Sequence, residues 1–63
     1  MKLTYYRYET VKGVYEDSND AKVFTLATSV VREMEFGERI TLHQGTELLG
    51  EWDYLKALEL QNV

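Results

Sequence analysis

Short runs of β-branched and aromatic residues constrain the fold of this chain most strongly. They cover residues 3–8, 11–15, 23–26 and 39–42, and isolated glycines and Asx-rich segments lie between them. Valine, threonine and tyrosine suit the half-buried surface of a pleated sheet. The pattern therefore predicts a small sheet that places large aromatic side chains on more than one face. Such a sheet is typical of a protein that binds a partner.

The length of the chain limits the core that it can bury. A chain of 63 residues removes only about 60% of its unfolded surface from water. Domains of this size usually add disulfides, metals or oligomerisation. Cysteine is absent and His43 is the single histidine, which excludes disulfides and makes a zinc site unfavourable. We expect one domain over residues 1–63, without cofactors, with a homodimer or larger homo-oligomer as the remaining source of stability.

Charge is unevenly distributed along the chain. The net charge is −4, and residues 13–63 carry ten of the eleven acidic side chains. An acidic body repels phosphate backbones and attracts basic surfaces, including the nucleic-acid groove of another protein. A net charge of this size is also ordinary for a small soluble domain. No apolar run approaches the roughly 20 residues that cross a bilayer, and no signal peptide is visible, so we expect a cytoplasmic protein.

The first half of the chain predicts strands. Residues 2–9 form the first one, and residues 11–16 either continue it after a bend or form a second strand. The Asx-rich residues 17–20 predict a turn, which would pair the end of this segment with residues 22–27 in a hairpin. Residues 29–36 admit both a helix and a strand, and their β-branched residues favour the strand.

The second half predicts a hairpin and a helix. Residues 39–43 form a strand with Ile40 and Leu42 inward, and residues 47–52 return as a strand with Leu48, Gly50 and Trp52 on one face. A single helix over residues 46–60 is the alternative, but Gly50 in its middle would cost about 1 kcal/mol. Asp53 then caps a helix over residues 54–60, with Leu55 and Leu58 docked on the sheet. The predicted class is mainly β with a short C-terminal helix (α+β), a small antiparallel meander or partly open barrel of 4–6 strands.

Residues that could support catalysis are sparse. His43 is the only imidazole for a nucleophile–base pair, and a partly exposed strand histidine is the simpler interpretation. Neighbouring carboxylates, such as Glu33 with Glu35, could support glycoside hydrolysis only in a cleft that holds the sugar. So small a sheet has little room for such a cleft. The Asx-rich residues 17–20 do not match a calcium loop. We therefore expect no enzymatic activity and no metal site.

The aromatic residues near the start of the chain and the acidic residues near its middle are the candidate partner-binding groups. Tyrosine and arginine dominate binding hot spots, and the carboxylates would meet basic groups on a target. Tyr5 and Tyr6 are adjacent in a predicted strand, so they point to opposite faces and cannot both serve one surface. Core packing or cross-strand pairing is the alternative role of the tyrosines. The predicted partner-binding residues are Tyr5, Tyr6, Arg7, Tyr8, Glu33, Glu35 and Glu38.

These features predict a small acidic interaction protein that binds and inhibits or modulates another protein with a basic surface. Inhibitors encoded by phages and other mobile elements, such as anti-CRISPR and other counter-defence proteins, share this size and charge, which is an analogy only. One alternative is a small β-barrel that binds single-stranded nucleic acid by stacking bases on tyrosines beside Lys2, Arg7 and Lys12. The acidic body disfavours it. The other alternative is a purely structural homo-oligomer.

Overall fold

The computed structural model describes residues 1–61 of the chain, and the side chains of residues 1–60. Four strands form one open antiparallel sheet in the order β2-β1-β3-β4, and two helices pack on one of its faces. This arrangement confirms the predicted class, a mainly β protein of α+β character with a C-terminal helix. The elements are β1 (Lys2–Arg7), β2 (Thr10–Glu16), α1 (Asp20–Arg32), β3 (Glu38–Gln44), β4 (Glu47–Asp53) and α2 (Tyr54–Gln61).

Helix α1 is the largest difference from the sequence-based expectation. The Asx-rich segment begins this helix: Asn19 is its N-cap, and the Asn19 side-chain oxygen accepts a hydrogen bond of 3.1 Å from the backbone N–H of Ala21. The strand predicted over residues 22–27 is therefore wrong. The strand preferred for residues 29–36 is also wrong, because the helix continues to Arg32 and a loop follows.

The packing of α1 on the sheet explains this difference. Val23 and Ala27 are four positions apart and both are buried, and Val30 and Val31 pack beside them one turn later. This spacing places the apolar side chains on a single helical face that can lie on the sheet. The helix carries the chain from the β2 edge over β1 to β3, so the strand order is not the consecutive order of a simple meander.

The core lies between the sheet and the two helices. Ile40 and Leu42 are buried on the helix-covered face, which confirms their predicted inward orientation. Leu3 of β1 lies beside them, and Val23 and Ala57 reach the same cluster from the helices. Removal of these side chains from water is the main favourable contribution to folding. None of the helices in the described residues is long and apolar enough to cross a bilayer.

Two predictions about the second hairpin and α2 need correction. A register shift between Leu42 and His43 pairs Leu48 with His43, so Leu48 does not share the face of Gly50 and Trp52. Asp53 caps α2 as predicted, since its Oδ1 accepts a hydrogen bond of 2.9 Å from the backbone N–H of Lys56. Leu55 and Leu58 are exposed, however, and the small residue Ala57 contacts the core in their place.

Candidate protein-interaction site

The three most exposed large hydrophobic side chains of the described residues meet at one end of the sheet. They are Phe36 at 72%, Leu55 at 66% and Tyr8 at 64% of full exposure. The ring of Phe36 meets the ring of Tyr54 edge-on, with centroids 6.0 Å apart and planes at 79°. We call the group formed by Tyr8, Phe36, Tyr54 and Leu55 the aromatic end.

The backbone at Tyr8 adopts a conformation that an aromatic residue rarely takes. Tyr8 lies in the two-residue connection between β1 and β2 and has a φ of 55°. Connections of this length favour glycine or asparagine where φ is positive, because a Cβ is strained there. Strain of this kind persists where the surrounding structure holds it, and it is concentrated at functional sites.

Gly37 holds Tyr8 against the loop that carries Phe36. The backbone N–H of Tyr8 donates a hydrogen bond of 2.7 Å to the carbonyl of Gly37. Gly37 has a φ of 91°, and a Cβ at this position would stand 2.8 Å from Cε1 of Tyr8. Glycine is therefore required twice here, for the backbone conformation and for the close approach of the ring. The loop between α1 and β3 and the loop between β1 and β2 thus form one surface.

Acidic residues occupy the chain segment on both sides of Phe36. Glu33 ends α1 as its C-cap residue, and Glu35 and Glu38 follow in the loop and at the start of β3. The Oε1 atom of Glu38 accepts a hydrogen bond of 2.6 Å from the backbone N–H of Glu35, which fixes the shape of this loop. A shallow hollow of about 220 Å³ lies here, lined by Phe36, Gly37, Glu38, Arg39, Asp53, Tyr54 and Leu55.

Five of the seven predicted partner-binding residues lie at or beside the aromatic end. Tyr8 belongs to it, and Arg7 lies opposite Glu38 on the neighbouring strand. Glu33 and Glu35 lie in the chain segment that leads to Phe36, and both are exposed. Residues far apart in the sequence are thus brought together by the hydrogen bonds between β1 and β3.

The other two predicted residues lie elsewhere. Tyr5 is half-buried on the helix-covered face, where it packs against the core. Tyr6 lies on the opposite face, and the guanidinium carbon of Arg39 stands 3.9 Å from its ring centroid. This cation–π contact covers one side of the ring on which a base would stack.

Sequence reasoning did not identify Phe36, Tyr54 or Leu55 as members of the site. Phe36 precedes a glycine that is now seen to have positive φ, and an exposed aromatic beside such a turn is the one available signal. The spacing of Leu55 from Leu58 predicts an inward-facing helical stripe that docks on the sheet. Only the orientation of α2 after β4 shows that it points outward.

A second concave region lies between the helices. It is a mainly apolar groove of about 410 Å³ between α1, α2 and the sheet. Its lining residues are Phe24, Ala27, Thr28, Val31, Arg32, Leu42, Trp52 and Leu60. Among the side chains that the structure describes, no three His, Asp or Glu residues converge as a metal site would require. The expected absence of a cofactor stays a prediction.

Comparison with protein-family models, curated proteins and solved structures found no match to this chain.

Proposed function

We propose that the protein binds another protein through the aromatic end and thereby inhibits or modulates it. The observation that carries this proposal is the convergence of the three most exposed large hydrophobic side chains on one surface. Single exposed apolar residues are normal, whereas a contiguous group rimmed by polar residues is typical of an interaction site. Aromatic side chains at the centre of such a group are the usual anchors of binding energy.

The conformation of Tyr8 adds an independent reason. An asparagine or glycine would adopt the positive φ of this position with less strain and would leave the hairpin connection intact. The chain instead has a tyrosine there, with most of its side chain in solvent. An exposed aromatic in a strained position contributes little to the core, so its benefit is best explained by contact with a partner.

The acidic side chains around the aromatic end indicate the character of the partner surface. Glu33, Glu35 and Glu38 would face basic groups, and such complementarity accelerates association and selects among partners. We therefore propose a partner with an apolar hollow surrounded by lysine and arginine. Nucleic-acid-binding grooves of proteins are one surface of this type, and an inhibitor of the counter-defence kind is a specific form of the proposal that rests on size and charge.

Capture from a cell lysate with matched variants tests the proposal. Phe36→Ala and Tyr8→Asn should each reduce retention of the bound protein at least tenfold, since loss of an anchor costs about 2 kcal/mol or more. Phe24→Ala is the control, because Phe24 is also an exposed aromatic but lies on α1 beside the groove. An equal loss with Phe24→Ala, or no retained protein with the wild type, would contradict the proposal.

Salt tests the contribution of the acidic side chains to the proposed contact, and an oligonucleotide tests whether the partner surface is a nucleic-acid groove. High salt should weaken capture by the wild type, because screening acts on the acidic side chains. Glu33→Gln should weaken capture at low salt and reduce its salt dependence, whereas Glu59→Gln on the exposed part of α2 should leave both unchanged. If the partner uses a nucleic-acid groove, an excess of oligonucleotide should release it, and failure of release excludes that form of the proposal.

A further inference from the structure

Strand β2 is an exposed edge of the sheet. All seven of its residues are exposed, and β1 is its only neighbour in the described sheet. Strands at an edge present backbone N–H and C=O groups that can pair with another strand. Val11, Val14 and Tyr15 also leave large apolar side chains in solvent along this strand.

The sequence of β2 is complementary to itself when it runs antiparallel about Val14. In that register Lys12, which is the extra residue of a β-bulge in β2 and has no partner on β1, lies opposite Glu16 of a second copy, and the same ion pair forms again across the two-fold axis. Val14 lies opposite its own copy, and Gly13 lies opposite Tyr15, an aromatic–glycine pair that compensates for the missing glycine side chain. Neither Lys12 nor Glu16 forms an ion pair with another side chain among residues 1–60.

The opposite edge of the sheet lacks this complementarity. Strand β4 carries Glu47, Glu51 and Asp53 and no basic residue. Pairing of its central residues with a second β4 would place carboxylates opposite each other, as with Glu47 and Glu51. Like charges directly opposite are destabilising, so β4 opposes self-association whereas β2 favours it.

We propose that β2 is an interface between two copies of this chain, which join their β2 strands antiparallel about Val14. Residues of matching parity oppose each other in this register, so the helices of both copies lie on the same side of the joined sheet. The two-fold axis makes the interface isologous. The aromatic ends, which lie beyond the β1–β2 connection, then point in opposite directions and stay accessible.

A single engineered cysteine tests the register, because the natural chain contains none. Directly opposed residues of antiparallel strands have Cα atoms about 4.5–5.5 Å apart, which a disulfide can span. Val14→Cys should therefore form a covalent dimer under mild oxidation. Val11→Cys is the matched control: it has similar exposure, 51% against 58%, but its two copies would stand about 20 Å apart and should not cross-link.

Charge exchange tests the specific ion pairs. Lys12→Glu and Glu16→Lys should each raise the dissociation constant of the dimer about tenfold or more, because attractive pairs become repulsive. A mixture of the two single variants should form a heterodimer, since each glutamate then lies opposite a lysine. The double variant should recover the wild-type dissociation constant, and high salt should weaken the wild-type dimer. Sedimentation equilibrium measures all of these states.

Several outcomes would overturn the proposal. The wild type could sediment as a monomer at every concentration up to the millimolar range. A dimer could form but be insensitive to both charge reversals. Equal cross-linking of Val11→Cys and Val14→Cys would also exclude the register. Circular dichroism of each variant shows whether it is folded, and capture through the aromatic end is measured separately, so failure of the dimer leaves the proposed function standing.

Discussion

The two faces of strand β3 are stabilised in different ways. On the helix-covered face Ile40 is fully buried and Leu42 is nearly so. On the other face, which neither helix covers, Thr41 is only 4% exposed. Side chains of the neighbouring strands enclose it, including Thr4 directly opposite on β1 and Glu51 directly opposite on β4. Neighbouring strands can thus keep water from a small residue in a central strand that no helix covers.

Burial leaves two polar atoms of this face without hydrogen-bond partners among the described residues. They are the hydroxyl oxygen of Thr41 and Nδ1 of His43. A buried polar atom without a partner costs free energy. Arg39 on the same face, by contrast, stacks on Tyr6 and lies 3.6 Å from a carboxylate oxygen of Glu51. Apolar packing stabilises the helix-covered face. On the other face the contacts of Arg39 are stabilising, whereas the unpartnered hydroxyl of Thr41 is destabilising.

Truncation of a residue on each face should show the largest contrast. Ile40→Ala should reduce the free energy of unfolding by about 2–4 kcal/mol, because it removes a buried side chain and leaves a cavity. Arg39→Ala should cost at most about 1 kcal/mol, since exposed ion pairs contribute little. Urea denaturation followed by circular dichroism measures both. Equal losses would show that the polar face contributes as much as the core.

Loss of the α1 cap tests how far the covered face depends on its helix. Asn19→Ala removes the acceptor for the backbone N–H of Ala21 and should cost about 1 kcal/mol. Asn19→Asp preserves an acceptor and should retain the wild-type midpoint of thermal unfolding. An unchanged midpoint in Asn19→Ala would show that packing of Val23 and Ala27 determines the start of the helix without the cap.

Removal of the Thr41 hydroxyl should increase the free energy of unfolding, whereas the preceding substitutions decrease it. Thr41→Val keeps the shape of the side chain and removes the unpartnered oxygen, so we expect a gain of up to about 1 kcal/mol. Thr25→Val is the control, because the Thr25 hydroxyl donates a hydrogen bond of 2.8 Å to the carbonyl of Ala21 and its loss should bring no gain. A destabilised Thr41→Val protein would show that this hydroxyl is already satisfied in solution.

The smallest expected effect is confined to alkaline pH. Although Tyr15 is exposed, some loss of water around its hydroxyl, with the hydrogen bond to Asp17 and the negative charge of Asp17, raises the pKa of Tyr15 from its ordinary value of 10.0. The folded state then holds this proton more tightly than the unfolded state does, so the contribution is present below pH 10 and is lost as the pH rises through the raised pKa. Tyr15→Phe should therefore show a shallower fall in the denaturation midpoint between pH 9 and pH 12. Identical slopes would contradict this assignment.

Local patterns predicted much of the fold and only part of the candidate site. The alternation around Ile40 and Leu42 and the cap at Asp53 depend on a few neighbouring residues, and both predictions are confirmed. Tyr8 and the glutamates were named as binding residues from residue type alone. Phe36 and Leu55 were not, because their exposure depends on how the α1–β3 loop and α2 are oriented.

Local sequence patterns were sufficient to predict the class of fold, the inward residues of β3, the second hairpin and the capped C-terminal helix. Hydrophobic alternation and capping act within a few residues, so they can be seen without the rest of the molecule. Packing in the folded molecule selects the helix over residues 20–32, which begins at the N-cap Asn19. Their valines and threonines suit a strand locally, but burial of Val23 and Ala27 against the sheet outweighs that preference. The tertiary structure also decided that Tyr8 and Phe36 share a surface, because backbone pairing between distant strands brings their loops together.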